Sequence, residues 1–460
     1  MTAAATTAWL GWLGIARLGL VQTALGAIVI LTTTTLNRVM VVELALPAML
    51  PGLLVSCYYT VQLLRPRLGY GSDVGGRRTP WIIGGMLLLA AGGISASVAT
   101  AWMETALFAG VLLAFVSFIV IGVGVGAAGT ALLTLLAKRV EPARKGAAAM
   151  IVWVMMIAGF AVTATLAGQF LDPFSGARLI GVTTVVCLVA LLLASVAVIG
   201  VEPRRSTTPT AATAIPAASR PAAPFRQALA EVWSESTARN FTIFVFISML
   251  AYSMQELILE PFAGHAFGLT PGQSTQLAGL QNGGVLLGML LAAASVSRLG
   301  RGRLGTLRSW TVGGCIASAI ALLGLGLGAW VGPAWPLHPS VFVLGVANGA
   351  FAVAAIGSMM HHASQGRAGR EGVRMGLWGA AQAIAFGVGG FLGTVGVDVV
   401  RYVFGAPIAA YGLVFTAAGL LFLVAASWGM RIRNPLPLGD DRPDDSTLVI
   451  DEPAEGSMRS

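Results

Sequence analysis

Residues 106–136, ALFAGVLLAFVSFIVIGVGVGAAGTALLTLL, carry no charged side chain and only Ser117, Thr130 and Thr134 as polar ones. About 20 apolar residues in a helix cross a hydrocarbon layer of roughly 30 Å, so this run spans a bilayer with residues to spare. It tilts or extends beyond the membrane. Eleven further apolar runs follow the same pattern: 21–45, 47–64, 81–102, 147–170, 178–200, 240–260, 274–297, 309–330, 340–361, 375–397 and 407–430. The whole chain agrees. Of its 460 residues, 56% are hydrophobic and 10% charged, and mean hydropathy is +0.82. A soluble domain carries about 25% charge. Its 59 glycines lack a collagen-like period. The expectation is an all-α polytopic membrane protein with twelve transmembrane helices.

Basic residues orient the helices. With the N-terminus in the cytoplasm, 25 of the 28 lysines and arginines fall in cytoplasmic loops or the termini, leaving Arg38, Arg178 and Arg401 opposite. That asymmetry places both termini in the cytoplasm. It also accounts for the net charge of +9 without a nucleic-acid partner; the lipid bilayer is the partner that composition demands. The stretch from Trp9 to Leu20 has no small-residue cleavage pattern, and Trp9 and Trp12 read as interfacial anchors.

Residues 201–224, VEPRRSTTPTAATAIPAASRPAAP, nearly lack bulky apolar side chains and read as a flexible linker. Phe225, Leu229 and Trp233 then recur near helical spacing, as on a short surface helix. The expected domains are a six-helix bundle over 1–200, a cytoplasmic linker over 201–239, a second six-helix bundle over 240–432 and a disordered acidic tail over 433–460. The tail holds Asp440, Asp441, Asp444, Asp445, Asp451, Glu452 and Glu455. It is solvated, or it docks on a basic face of a synthase or a membrane insertase. The halves echo one another. Arg144-Lys145-Gly146 precedes the fifth span as Arg370-Glu371-Gly372 precedes the eleventh, and Glu43-Leu44 and Glu256-Leu257 each fall shortly before a proline. A duplicated six-helix unit is a common transporter plan.

Ionisable groups inside spans are costly and point to function or to structural pairing. Arg38 and Glu43 in the first span and Glu256 and Glu260 in the seventh form one such set. If those spans converge, Arg38 can pair with Glu256 between the halves, either as a lock or as a polar mouth for a headgroup or a proton. Gln255, Gln281, Asn282, Asn348 and Gln382 add hydrogen-bonding side chains in spans seven, eight, ten and eleven, as packing glue or as contacts to a carbonyl-rich ligand. Small residues at four-residue intervals, Gly122/Gly126, Gly284/Gly288, Gly324/Gly328 and Gly389/Gly393, suit close helix packing or a flat client. His361 and His362 close the tenth span and His265 follows the seventh; each caps a helix end or offers an imidazole to a metal-bearing ligand. Cys57, Cys187 and Cys315 lie apart in apolar runs, and no metal site or catalytic constellation is visible.

The loop after the second span, Gly69-Tyr-Gly-Ser-Asp73-Val-Gly-Gly76-Arg77-Arg78, resembles the major facilitator superfamily signature, with Val74 in place of the usual base. That resemblance implies the superfamily fold, two six-helix bundles, and a cytoplasmic gating role for Gly69, Asp73, Gly76, Arg77 and Arg78. A narrower likeness lies in residues 37–44 (NRVMVVEL), 65–86 (RPRLGYGSDVGGRRTPWIIGGM), 254–261 (MQELILEP) and 376–382 (GLWGAAQ). These are similar to the PucC/LhaA-type, or bacteriochlorophyll-delivery, branch. The resemblance implies a non-enzymatic protein of the bacterial inner, intracytoplasmic photosynthetic membrane. Its role there would be to assemble light-harvesting complexes, with bacteriochlorophyll as a bound client and antenna polypeptides as partners. The competing expectation is a secondary transporter of a small amphipathic solute or pigment precursor.

Overall fold

The computed structural model describes residues 9–65, 77–141, 144–202, 225–298, 306–365 and 371–431, and every regular element among them is helical. Eleven helices are long and apolar enough to cross a membrane: α1 (Trp12–Glu43), α3 (Thr79–Trp102), α4 (Leu107–Arg139), α5 (Lys145–Leu171), α6 (Gly176–Val198), α7 (Ser236–Phe267), α8 (Pro271–Arg298), α9 (Leu307–Val331), α10 (Leu337–Gln365), α11 (Glu371–Phe404) and α12 (Pro407–Arg431). The shorter apolar helix α2 (Met49–Leu64) completes twelve. A short helix, Phe225–Ser234, precedes α7. Linker residues 203–224, the tail, and Gly69, Asp73 and Gly76 lie outside the described residues.

Two boundaries correct the sequence reading. The first helix begins at Trp12 rather than residue 21 and runs for 32 residues. Within the added turns, the Arg17 guanidinium donates to the Ile199 carbonyl just past the end of α6. The seventh helix starts at Ser236 and continues to Phe267, past the expected end at 260.

Packing follows an internal two-fold. In the first half α3 packs on α4 and α6, α1 on α5 and α6, and α2 on α4; in the second, α9 packs on α10 and α12, α7 on α11 and α12, and α8 on α10. Each pair maps onto its counterpart six helices on. The halves meet through α5 against α8 and α2 against α11, which the same operation exchanges. One buried core gathers residues from Ile15 to Val201 together with Leu257, and a second gathers Phe241 to Ala426. Outward leucines and valines such as Leu112, Val116, Leu188 and Leu192 remain exposed, as lipid contact requires.

Lipid is as apolar as leucine, so helices in a membrane associate by close approach and hydrogen bonds. Glycine supplies the approach. A Cβ on Gly284 or Gly288 of α8 would stand 2.5 or 2.0 Å from the Phe342 or Val346 carbonyl of α10, and Gly345 and Gly349 return the contact at 2.1 and 2.0 Å from the Gln281 and Val285 carbonyls. Gly389 and Gly393 press α11 against Leu250 and Met254 of α7 in the same way. The glycine stripes therefore face inward at these crossings.

The two bundles are joined by hydrogen bonds concentrated at the end remote from Trp12 and Arg431, called here the far end. Helix α7 is interrupted at Leu257–Ile258, an α-helix over Ser236–Glu256 giving way to a second over Leu259–Phe267. Pro261 has no N–H for the carbonyl four residues back, that of Leu257. The Asn37 amide of α1 donates to that carbonyl. Helix α1 is itself widened into π-helical turns at Leu31–Thr35 and Val39–Glu43. The Thr32, Thr33 and Thr34 hydroxyls bond back to Ile28, Val29 and Ile30 carbonyls, a habit that bends helices. Nearby, Thr35 meets Thr275 at 3.2 Å. Asp398 of α11 accepts from the Ala48 and Met49 amides at the start of α2, and Asp172 accepts from the Thr270 hydroxyl and the Gly272 amide.

At the near end, Glu202 caps α3. Its carboxylate accepts from the Arg78 amide at 2.9 Å, the Thr79 amide at 2.9 Å and the Thr79 hydroxyl at 2.8 Å, where a helix start favours negative charge. Burial pushes this carboxyl up, but the Thr79 and Arg78 hydrogen bonds outweigh it and hold the group below its usual range. The corresponding corner of the second bundle ties Arg308 of α9 to the Met430 carbonyl of α12.

Two outcomes follow from this packing. Gly288→Leu should cost about 1–3 kcal/mol by overpacking and lower Tm in detergent, whereas Gly283→Leu, which meets open space, should leave it unchanged; equal effects would contradict the contact. Glu202→Gln should lower Tm at neutral pH. Because the folded carboxyl sits below its ordinary 4.5, the difference from wild type is full above that pH and closes as pH falls through the folded-state value. A pH-independent difference would contradict the cap.

Candidate functional site

The crossing of α1 and α7 collects most of the polar side chains singled out in the sequence. Arg38 is 2% exposed, and its guanidinium binds the Glu43 carboxylate on its own helix and the Leu269 carbonyl at 2.6 Å across the bundles. The expected Arg38–Glu256 pair does not form. A π-helical turn brings Glu43 back to Arg38, and Arg38 reaches past the end of α7 to Leu269, thirteen residues beyond Glu256. Glu260, 2% exposed, sits beside Arg38 and the Thr34 hydroxyl.

Glu256 ends the first segment of α7 at the break, half-buried, within electrostatic reach of Tyr58, Tyr59 and Tyr252. Phe386 of α11 stacks on both Tyr59 and Tyr252, ring centroids 5.4 and 5.7 Å apart. Beside it, Gln255 is fully buried and accepts from Gln281 at 3.4 Å. One wall is therefore aromatic and the other a carboxyl with a carboxamide pair. Sequence reading missed the three tyrosines and Asn37; the adjacent Tyr58-Tyr59 in an apolar span and an asparagine one residue before Arg38 were the available signals.

The remaining candidates disperse. Asn282 donates to the Ala278 carbonyl of its own helix at 2.9 Å. Asn348 is buried inside the second bundle, accepting from Ser318 at 2.8 Å. Gln382 is half-buried on α11. Arg78 is buried beneath Glu202, and Arg77 is exposed. The His362 imidazole packs inside the second bundle against Phe241, 5.3 Å between ring centroids, rather than standing in solvent; the His361 side chain lies outside the described residues. His265 shares a 2.9 Å hydrogen bond with the Tyr411 hydroxyl. At the start of α11, Arg374 grips Glu235 with two nitrogens at 2.8–3.0 Å, fixing the start of α7 to α11.

Two grooves open between the bundles. One, of about 320 Å³, runs between α2 and α11, lined by Leu53, Leu63, Ile384, Val388, Phe391 and Leu392 with the Ser56 and Tyr59 hydroxyls among them. Tyr59, one of its lining residues, packs against Phe386 with ring centroids 5.4 Å apart. The other, of about 600 Å³, lies near the far end between α5, α8 and the start of α10, lined by Thr165, Leu269, Gln273, Gln276, Leu277, Leu280 and His338. His338, exposed at the start of α10, is the imidazole that faces a groove, and sequence reading had passed over it. Both volumes fall within the roughly 300–1,000 Å³ of ligand sites. Among the described residues no group of three or more His, Cys, Asp or Glu could hold a metal ion.

Comparison with known proteins places this geometry. In overall shape the chain is similar to a D-xylose–proton symporter, with a TM-score of 0.68 at 14% identity over 91% of this chain and 97% of that one. It is similar also to a nucleoside transporter, with a TM-score of 0.66 at 14% identity over 92% and 100%. Those likenesses show the fold, that of the major facilitator superfamily. In sequence it is 51% identical over 418 residues, 91% of this chain and 94% of the relative, to a Rhodobacter capsulatus protein named bacteriochlorophyll synthase 44.5 kDa chain. It is 30% identical to the protein PucC of Cereibacter sphaeroides, over 88% and 89% of the two chains. The family model described as PUCC protein matches residues 35–434. A twelve-helix major facilitator fold whose sequence matches that model across both bundles belongs to the PucC protein family.

Proposed function

We propose that this protein assembles bacterial light-harvesting complexes by holding bacteriochlorophyll, antenna polypeptide, or both, between its two bundles. The observation that carries the reading is the groove between α2 and α11. It is lined mainly by apolar side chains, and Tyr59 among them packs against Phe386 and lies within electrostatic reach of Glu256. A greasy client with a few carbonyl or hydroxyl groups suits such a lining better than a hydrated solute does, because few polar groups are available to replace a solute's water shell. The groove beside His338 offers an imidazole, the kind of axial ligand that a chlorin's magnesium takes, with Gln273 and Gln276 as carboxamides for ring carbonyls. A bacteriochlorophyll bound there would bring its own magnesium; the chain's part is to hold and orient the ring and to keep water from it.

In this reading the protein is a carrier or chaperone and not a catalyst, its relative's name notwithstanding. It resides in the intracytoplasmic photosynthetic membrane with both termini, the 201–239 linker and the acidic 433–460 tail in the cytoplasm. There a pigment synthase or an insertase can be met. The second reading, a secondary transporter of an amphipathic solute or pigment precursor, is favoured by the buried carboxyls of the broken helix α7.

Purification in mild detergent from phototrophic membranes separates them. Chlorin absorbance or antenna polypeptides should co-purify, and Glu256→Gln should reduce antenna accumulation while the protein stays folded and inserted. A protein that carries neither client yet moves a solute in proteoliposomes would overturn the assembly reading. Normal antenna levels in Glu256→Gln would remove that carboxyl from the site.

A further inference from the structure

The internal two-fold maps the starts of α1 and α5 onto the starts of α7 and α11, and these two near-end corners differ in charge. In the second bundle the N-cap residue of α7 is Glu235, and its carboxylate holds the buried Arg374 in the first turn of α11. That corner supplies its own anion. In the first bundle the N-cap residue of α1 is Gly11, which has no side chain to offer. The Arg144 guanidinium, at the N-cap of α5, lies instead over the Trp12 ring, 5.6 Å from its centroid. Lys145 follows it and is exposed. The Leu10 amide donates to the Arg139 carbonyl at 2.9 Å, which brings a third basic residue to the corner; its buried Nε–H has no acceptor among the described residues. Glu141 stands against these cations, meeting Arg144 at 3.3 Å with both side chains nearly half exposed, a pairing that water and salt weaken. Glu202, beyond the end of α6, is committed to the Arg78 and Thr79 amides.

We propose that this corner, Arg139, Arg144 and Lys145 around Trp12, binds the phosphate of an anionic phospholipid in the leaflet at the near end. The phosphate takes the place that the Glu235 carboxylate fills in the second bundle. Three features favour it. Arg144 is held by the Trp12 ring instead of by a buried acid, so its charge remains available to a ligand. The start of α5 has no side-chain cap, and a helix start carries partial positive charge that favours an anion. Trp9, Trp12 and Leu13 are exposed beside the cations. They give the acyl chains of a lipid an apolar surface to follow at the membrane boundary, which a free phosphate does not use. The end of α12 offers a comparison. Arg431 there lies over Trp428, 5.4 Å from its ring centroid, but at a helix C-terminus, whose partial negative charge repels an anion. The inference needs no particular client, so it stands or falls apart from the assembly reading.

Native mass spectrometry of the full chain in mild detergent, titrated with phosphatidylglycerol or with phosphatidylcholine of the same acyl chains, reads the first bound lipid. Phosphatidylglycerol should bind in preference, and inorganic phosphate at equal concentration should not displace it. Arg144→Gln combined with Lys145→Gln should weaken phosphatidylglycerol binding about 10–30-fold, whereas Arg431→Gln should leave it unchanged. Glu141→Gln, which removes the carboxylate that competes for Arg144, should tighten binding about two- to fivefold. Equal binding of the two lipids would overturn the proposal. So would equal losses in the double variant and in Arg431→Gln, which would assign the preference to the basic surface as a whole. Displacement by inorganic phosphate would make the site one for a soluble anion, and the lipid reading would fail. It fails also if phosphatidylglycerol binds only after residues 435–460 are removed, since the acidic tail would then hold the corner in the intact chain. Should the double variant fail to fold, an unchanged affinity in Glu141→Gln overturns the proposal equally.

Discussion

Pro261 has no backbone N–H, and the carbonyl of Leu257 is consequently left without its helical donor at membrane depth. No water stands ready there, so the group must be satisfied by another part of the protein. Asn37 satisfies it from the opposite bundle. That bond ties the break in α7 to the π-widened stretch of α1, and the other far-end contacts gather around it: Arg38 on Leu269, Thr35 on Thr275, Asp172 on Gly272 and Asp398 on the start of α2. A local defect of one helix thereby becomes the joint between the two halves of the fold.

The same defect builds the site. Interrupting α7 at Leu257 leaves Glu256 at the end of one helical segment, turned toward the aromatic wall, and Glu260 in the first turn of the next, turned toward α1. Discontinuous helices near the middle of a membrane are where transporters of this architecture place their polar chemistry. The two carboxyls have different surroundings. Glu256 is half-buried near three tyrosines, whereas Glu260 is buried near Thr34 and Arg38 of α1.

Most of the architecture was legible because the membrane imposes it. Apolar runs of fixed length, basic loops and a proline-rich gap gave twelve helices in two halves, and both the family and its fold were carried by motifs on the page. What failed to read was pairing. Hydropathy counts residues and says nothing of partners, so Arg38 was matched to a distant acid when a π-helical turn delivered Glu43 from five residues away. The first turns of α1 were read instead as an interfacial stretch anchored by Trp9 and Trp12, although the helix already begins at Trp12. Glu202, Asp172 and Asp398 act on backbone amides of other helices, a role that no spacing reveals. Asn37 and Pro261 were each visible, yet their connection exists only once α1 and α7 cross.

The central claim is that a lipid-soluble client is held between the bundles beside the Tyr59–Phe386 stack. Photo-crosslinking tests it most directly: p-benzoylphenylalanine is placed at Phe386 and, as a control, at the lipid-facing Leu188, and phototrophic membranes are irradiated before mass spectrometry. The account predicts tetrapyrrole or antenna-polypeptide adducts at 386 and lipid adducts alone at 188. Lipid adducts alone at both positions would contradict it.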